Sequence, residues 1–212
     1  MLGYPIKSSF IITKILYDAM IREQEERMQE ARDPSIIYVT DLVACTHKYH
    51  LRHVFPEVTV RFEPSAVMGN LVHLGLEKYL EENGFQIEVQ LEKKYKIEGK
   101  EYLLKGRIDA YKPDEKIIVE IKSSRTPQSL PREHHIYQLQ IYMNLLDTDK
   151  GILIYITPDK ILEYTFRKEK IDIKSLIKLL IEDSVHPKWA WECRYCLFQK
   201  ICPYKASEQE IK

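Results

Sequence analysis

The sequence predicts an α/β fold, and three observations carry that expectation. Ile117-Ile118-Val119-Glu120-Ile121-Lys122-Ser123 and Gly151-Ile152-Leu153-Ile154-Tyr155-Ile156 are short, β-branched and mostly apolar, as strands buried on both faces are. Between them, Ile136, Leu139, Met143 and Leu146 recur at helical spacing over 131–146 and make a core stripe. Helical periods and strand alternation interleave along the rest of the chain, as they do when helices cover a sheet.

From the N-terminus, Ser8 or Ser9 is placed to cap a helix reaching about Arg32, with Phe10, Ile11, Leu16, Ala19 and Met20 on its apolar side and a charged tail over 23–30. Asp33-Pro34 ends it. Thr40 is the expected N-cap of a second helix over 41–53, which carries Cys45 in its first turns and then His47, Lys48, His50, Arg52 and His53. A third helix over 65–83 has Leu71, Leu74, Leu76 and Leu80 as apolar positions, His73 among them and Gly84 as its C-cap. Strands are expected over 86–97, 101–104, 106–111 and 117–123, with turns at Glu98-Gly99-Lys100 and at 112–116, where Pro113 fixes one torsion. After the strand over 151–156 come a turn at 157–160, a strand over 161–166 and an amphipathic helix over 171–183. No repeat, low-complexity segment or Gly/Ser linker breaks the chain, which suits one sizeable domain.

Lys+Arg 32 balances Asp+Glu 32, which argues against a protein that coats nucleic acid over its whole surface and leaves a local basic groove open. Neither a signal-peptide pattern nor an apolar run of membrane-spanning length is present, so a soluble cytoplasmic protein is expected. The richness in Lys, Glu and Ile hints at a thermophile.

Side chains alternate along a strand, so Glu120 and Lys122 share one face of the strand over 117–123, and Val119 and Ile121 share the other. A hairpin would bring Asp109 towards the same edge, giving two hard oxygen ligands beside an ammonium. Mg²⁺ or Mn²⁺ suits such a site, because these ions take carboxylates, carbonyls and water and keep positions open for a phosphate. Lys122 would then orient a water and stabilise developing negative charge. Gln138 and Tyr142 lie four apart on one helical face and could reach that lysine or a substrate backbone; the plainer reading makes Tyr142 a core residue and Gln138 a surface one.

Cys193-x-x-Cys196-x5-Cys202 places three thiols within ten residues, and Cys45 is the only other cysteine. Metal or cluster ligation is the first reading of four such cysteines in an intracellular chain, with disulfides the alternative in a thermophile. A four-thiolate site must use Cys45 and so pin the C-terminal tail to the second helix. Zn²⁺ and a [4Fe-4S] cluster both accept four thiolates, and the spacing does not separate them. Trp189, Trp191, Phe198 and Ile201 are the expected shield.

Asp109, Glu120-x-Lys122 and Gln138-x-x-x-Tyr142 resemble the consecutive motifs of RecB-family nucleases, a branch of the restriction-endonuclease-like fold, and Gly69-x-x-x-His73 matches a further motif of that branch. With Cys45 and the terminal trio added, the chain from about Val39 to Pro203 resembles the CRISPR-associated RecB-like exonuclease family. The resemblance implies a RecB-type nuclease core over 36–185 with a mixed β-sheet flanked by helices and an iron–sulfur cysteine tail over 186–212, which follow the expected N-terminal helix over 1–35. It implies Mn²⁺ or Mg²⁺ bound by His73, Asp109, Glu120 and the carbonyl of Ile121, with Lys122, Gln138 and Tyr142 acting in catalysis. It further implies a [4Fe-4S] cluster on Cys45, Cys193, Cys196 and Cys202. The expected activity is hydrolysis of DNA, 5′ to 3′ from single-stranded ends, in CRISPR spacer acquisition, with the CRISPR integrase as a candidate partner and oligomerisation open. Lys48, Arg52, Lys122, Arg125, Arg132 and Lys188 are expected to line the strand path. Two rival classes are a non-catalytic iron–sulfur or zinc DNA-binding subunit and a zinc-stabilised protein with a redox-sensitive cysteine pair. The N-terminal helix is not explained by the resemblance.

Overall fold

The computed structural model describes residues 10–207, 209 and 210, so the expected caps Ser8 and Ser9 lie outside the described residues. After α1 (Ile11–Glu30) come β1 (Ile36–Tyr38), α2 (Val39–Leu42), α3 (Thr46–Val54), a 3₁₀ turn (Pro56–Thr59) and α4 (Pro64–Glu82). Then follow β2 (Gln86–Ile97), β3 (Lys100–Lys112), β4 (Ile117–Ser123), α5 (Glu133–Leu146), β5 (Lys150–Ile156), β6 (Ile161–Arg167), α6 (Ile173–Ile181) and α7 (Glu192–Tyr195).

The six strands form one mixed sheet, in the order β1-β3-β4-β5-β6 with β2 on the other side of β3. The β4–α5–β5 crossover makes a parallel pair (Glu120 opposite Leu153), whereas β2–β3, β3–β4 and β5–β6 are antiparallel. The expected strands over 101–104 and 106–111 are one strand, because β2 pairs with β3 in one register from the Glu98-Gly99 turn to Gln86–Tyr111, with one rung missed at Glu88 and Asp109. Both turn residues have positive φ, 48° and 85°, as a two-residue hairpin demands.

Helices cover both faces. Ala110, Ile117, Val119 and Ile121 pack against Leu76 and Leu80 of α4. On the other face Leu104, Ile108, Ile118, Leu153 and Tyr155 join Leu139, Ile141 and Met143 of α5 and Ile177 and Leu180 of α6. Residues two apart share a face in a regular strand, yet Ile108 and Ala110 of β3 lie in different clusters, and so do Ile87 and Val89 of β2. Both strands roll over at the rung between Glu88 and Asp109, where no pair is formed and Glu88 has a φ of 50°.

The expected helix over 41–53 is two helices, α2 and α3, separated at Val43–Cys45. Cys45 is extended (ψ 126°) and stands at the N-cap of α3 rather than within a helix. The reason is the C-terminal segment, which supplies the partners that upstream carbonyls would otherwise provide: Cys45 N–H donates to Glu192 Oε1 (3.1 Å) and Thr46 N–H to the Val185 carbonyl (2.8 Å). Thr40 is not a cap; Tyr38 holds that place, its N–H donating to Asp41 Oδ2 at 2.8 Å.

The apolar sides expected for the first and third helices are only partly used. In α1 Met20 is buried, but Phe10, Ile11, Ile12 and Ile15 are exposed, and in α4 Met68, Leu71 and Leu74 are exposed while Leu76 and Leu80 reach the sheet. No helix among the described residues is long and apolar enough to cross a membrane.

Candidate active site and cysteine cavity

The β3–β4 ladder ends at Ala110–Val119, and the Ile121 N–H that would continue it is taken instead by Asp109 Oδ2 at 2.6 Å. The two strands splay beyond that point. On β4 the expected alternation holds: Glu120 and Lys122 point to the α5 side, and Lys122 Nζ donates to Glu120 Oε1 at 2.5 Å. Glu120 is 1 % exposed, and its other oxygen, Oε2, has no hydrogen-bond partner among the described residues.

Along the same side of β3, β1 pairs only with residues 103–105 and β4 only with 110–112, which leaves a gap over 106–109. Tyr142 of α5 fills it. Its hydroxyl oxygen accepts from the Arg107 N–H at 3.3 Å, and its ring sits so close to Gly106 that a Cβ there would meet Tyr142 Cε1 at 2.7 Å and Val39 Cγ2 at 3.0 Å. Gly106→Ala is therefore expected to cost about 1–3 kcal/mol of stability through overpacking and to push the Tyr142 ring away; a melting curve and a turnover assay check both. Gln138 lies one turn before Tyr142 and is buried as well, so the plainer reading of Gln138 as a surface residue does not hold.

His73 approaches from α4 on the opposite side. Gly69, one turn earlier, faces the end of β4, where an added Cβ would meet Ser123 Oγ at 3.4 Å, an ordinary contact. His73 Nδ1 is 3.6 Å from Asp109 Oδ1 and 3.9 Å from Glu77 Oε1. One ligand atom from each of His73, Glu77 and Asp109 lies within 4.8 Å of the others. Glu77 was not read from the sequence, although its spacing of four from His73 sets both on one helical face. Glu77→Gln is expected to weaken divalent-cation affinity about tenfold or more, the usual effect of removing a group that orients a ligating histidine; a Mn²⁺ titration followed by electron paramagnetic resonance measures it.

Burial, reinforced by the charge of Asp109, pushes the Glu120 carboxyl up to about 7 against the pull of Lys122. Burial also opposes the charge on Lys122, but Glu120 and Asp109 outweigh it and its ammonium is held above the ordinary range. Burial would likewise raise Asp109, yet the neighbouring His73 imidazole and the Lys122 charge bring it below its usual value. Burial lowers His73 less than Asp109 raises it. The group that gathers is His73, Glu77 and Asp109, while Glu120 Oε2, sealed and without a donor, stands outside it; carboxylate oxygens with one imidazole are donors that a divalent cation would satisfy.

Asp109, Glu120, Lys122, Gln138 and Tyr142 line one cleft of about 740 Å³. Its opposite wall is α1, which presents Glu23, Glu26, Arg27 and Glu30; Glu30 is tied down by Lys105 Nζ (2.8 Å) and by the Tyr38 hydroxyl. Two residues expected along a strand path are used otherwise. Arg52, although at the cleft, pairs bidentately with Asp41 (2.7 and 2.9 Å). Lys188 donates to the Leu42 carbonyl at 2.8 Å and lies over the Tyr137 ring, and burial pulls its ammonium down to about 8. Lys48 faces the cysteine cavity, whereas Arg125 and Arg132 are exposed outside the cleft.

Cys45, Cys193, Cys196 and Cys202 line a separate cavity of about 210 Å³, and none is disulfide-bonded. The tail meets the α2–α3 junction as a four-thiolate reading requires, and Trp189 Nε1 donates to the Val43 carbonyl at 3.0 Å. Phe198 is buried and Trp191 walls the cavity, but Ile201 is 52 % exposed and shields nothing. Burial pushes the Cys45 thiol up to about 11 and raises Cys202 also, so ionising those two calls for a bound cation. Four sulfurs line this one cavity and are the donors a four-thiolate metal or cluster takes, but no three of them lie within 4.8 Å of one another.

Comparison with known proteins agrees with this geometry. The model of the PD-(D/E)XK nuclease superfamily matches residues 80–203. The chain is 39 % identical over 194 residues to the CRISPR-associated exonuclease Cas4 of Saccharolobus solfataricus, covering 87 % of this chain and 95 % of that protein. The crystal structure of SSO0001 superposes with a TM-score of 0.85 at 38 % identity, over 93 % of this chain and 98 % of that one. An alkaline exonuclease from Laribacter hongkongensis shares the fold at a TM-score of 0.50 and 14 % identity, over 74 % of this chain and 88 % of that one. A domain match over more than half the chain and a full-length relative together make this chain a member of the PD-(D/E)XK nuclease superfamily and, within it, of the family of the CRISPR-associated exonuclease Cas4.

Proposed function

We propose that this chain is a cytoplasmic DNA exonuclease that hydrolyses phosphodiester bonds with Mn²⁺ or Mg²⁺, working 5′ to 3′ from single-stranded ends during CRISPR spacer acquisition. The observation that carries the reading is the sealed Glu120 Oε2, unpartnered beside Asp109 while Lys122 holds the other oxygen. His73, Asp109, Glu120 and the Ile121 carbonyl would hold the ion, which supplies Lewis acidity at the phosphate and a nucleophilic water. Lys122 then steadies the charge that develops on the phosphoryl oxygens and orients the water, and Gln138 and Tyr142 hold the nucleic-acid backbone against the sheet. Cys45, Cys193, Cys196 and Cys202 would carry a [4Fe-4S] cluster that fastens the tail to α3. Binding to the CRISPR integrase belongs to the same reading.

Single-stranded DNA labelled at one end and blocked at either terminus tests it. Mn²⁺-dependent release of nucleotides from free 5′ ends, abolished by chelator, is expected. Retention of DNA without release would favour the non-catalytic subunit, and release from 3′ ends alone would overturn the polarity. A visible absorption spectrum separates an iron–sulfur cluster from colourless zinc.

A further inference from the structure

Lys122 is bordered by a row of rings that ends at the cysteine cavity. Tyr155 stands beside it in the β4–β5 register, on the same face of the sheet, and is fully buried. Its hydroxyl oxygen accepts from the Arg132 N–H at 3.0 Å and lies 2.8 Å from His135 Nδ1. Burial, aided by the charge of Lys122, holds His135 neutral, down to about 2, so the Nδ1–hydroxyl bond joins two neutral groups and its direction follows the imidazole tautomer. The Tyr155 hydroxyl is thus held at two points by the start of α5. The next ring is His134, whose centroid is 4.1 Å from His135 and 4.7 Å from Trp191. His134 and Trp191 both line the cavity of the four cysteines.

We propose that His134 and His135 are positioning residues that transmit the state of the cysteine cavity to Lys122: His134 packs on its wall, His135 fixes the Tyr155 hydroxyl, and the Tyr155 ring limits the rotamers of the lysine beside it. A long flexible side chain gains most from such a wall, since a small misplacement of a reacting group is costly in rate. The proposal rests on the nuclease reading and on the cavity being filled in the working protein.

Tyr155→Phe and His135→Leu cut the link with little change of volume, and His135→Asn keeps an acceptor near the place of Nδ1. Turnover on end-labelled single strands is measured for the loaded protein and after chelator has emptied the cavity, below the melting temperature, with amide exchange over 133–138 recorded in both. Emptying the wild-type cavity is expected to lower kcat about tenfold with KM unchanged and to speed exchange in that turn. Tyr155→Phe and His135→Leu should show the loss while still loaded and lose no more when emptied, and His135→Asn should behave as wild type. A loaded Tyr155→Phe protein as fast as wild type, or one that loses a further tenfold on emptying, would overturn the proposal. If wild type cleaves nothing, the nuclease reading fails instead, and the exchange data still decide the coupling: faster exchange over 133–138 on emptying supports it, and unchanged exchange refutes it.

Discussion

Exchanging Glu120 for glutamine is expected to lower metal-dependent cleavage by about 10³-fold, the equivalent of several kcal/mol of lost Lewis-acid assistance, without lowering the melting temperature. The change preserves size and burial, and it removes a carboxylate whose ionisation the surroundings already oppose, since burial and Asp109 push it up to about 7. Removing one partner of a buried ion pair ordinarily costs about 3–5 kcal/mol, because the other charge is left uncompensated; here a glutamine Oε1 still accepts from Lys122 Nζ, and a second carboxylate stands by. Lys122 keeps Asp109 nearby as a counter-charge, one of the groups that raise it. Lys122→Met should be comparably inactive, but for lack of an ammonium rather than of a ligand, so it should still bind Mn²⁺. Initial rates on end-labelled DNA with parallel melting curves check all of this, and a fully active Glu120→Gln protein would remove that side chain from the chemistry.

Cys193→Ser is expected to strip the visible colour and lower the melting temperature by about 10–20 °C. Cys45 and Cys193 lie about 150 residues apart, so closing that loop is a large entropic demand on the folding chain. The contacts that close it without sulfur include hydrogen bonds of Thr46 with Asp183 and Val185, of Cys45 N–H with Glu192, and of Trp189 and Lys188 with the carbonyls of Val43 and Leu42, together with the His47–Asp183 pair and the His47–Tyr204 ring contact. Structural four-ligand sites bind with about 10 kcal/mol or more; half of that, at about 2–4 °C per kcal/mol for a chain of this size, gives the range quoted. Limited proteolysis should then cut the tail before the sheet. An unchanged spectrum and melting point would show that the cysteines hold nothing.

The parts of the site that obey local periodicity were legible in the sequence. Glu120 and Lys122 share a face because a strand alternates, Gln138 and Tyr142 because a helix turns, and the tail had to find Cys45 because no fourth thiol lies nearer. What escaped depends on partners distant in the chain. The break at Val43–Cys45 exists because Glu192 and Val185, about 140 residues away, cap α3. The roll at Glu88–Asp109 turns Asp109 between its two neighbours, Ile121 and His73, and no pattern in β3 announces it. Glu77 sat in plain helical register with His73, but a glutamate on a long helix is ordinarily solvent-facing and only the approach of β3 makes it a buried one. Arg52 and Lys188 were counted as basic surface because their partners, Asp41 and the Leu42 carbonyl, could not be assigned from spacing.

Anomalous diffraction from crystals grown with Mn²⁺ tests the central claim most directly. The account predicts a peak about 2.1 Å from carboxylate oxygens of Asp109 and Glu120, with Glu120 Oε2 now coordinated, the Ile121 carbonyl and His73 completing the protein's share, and Lys122 still within reach of Glu120. A peak that avoids Glu120, or none at a Mn²⁺ concentration that supports cleavage, would contradict it.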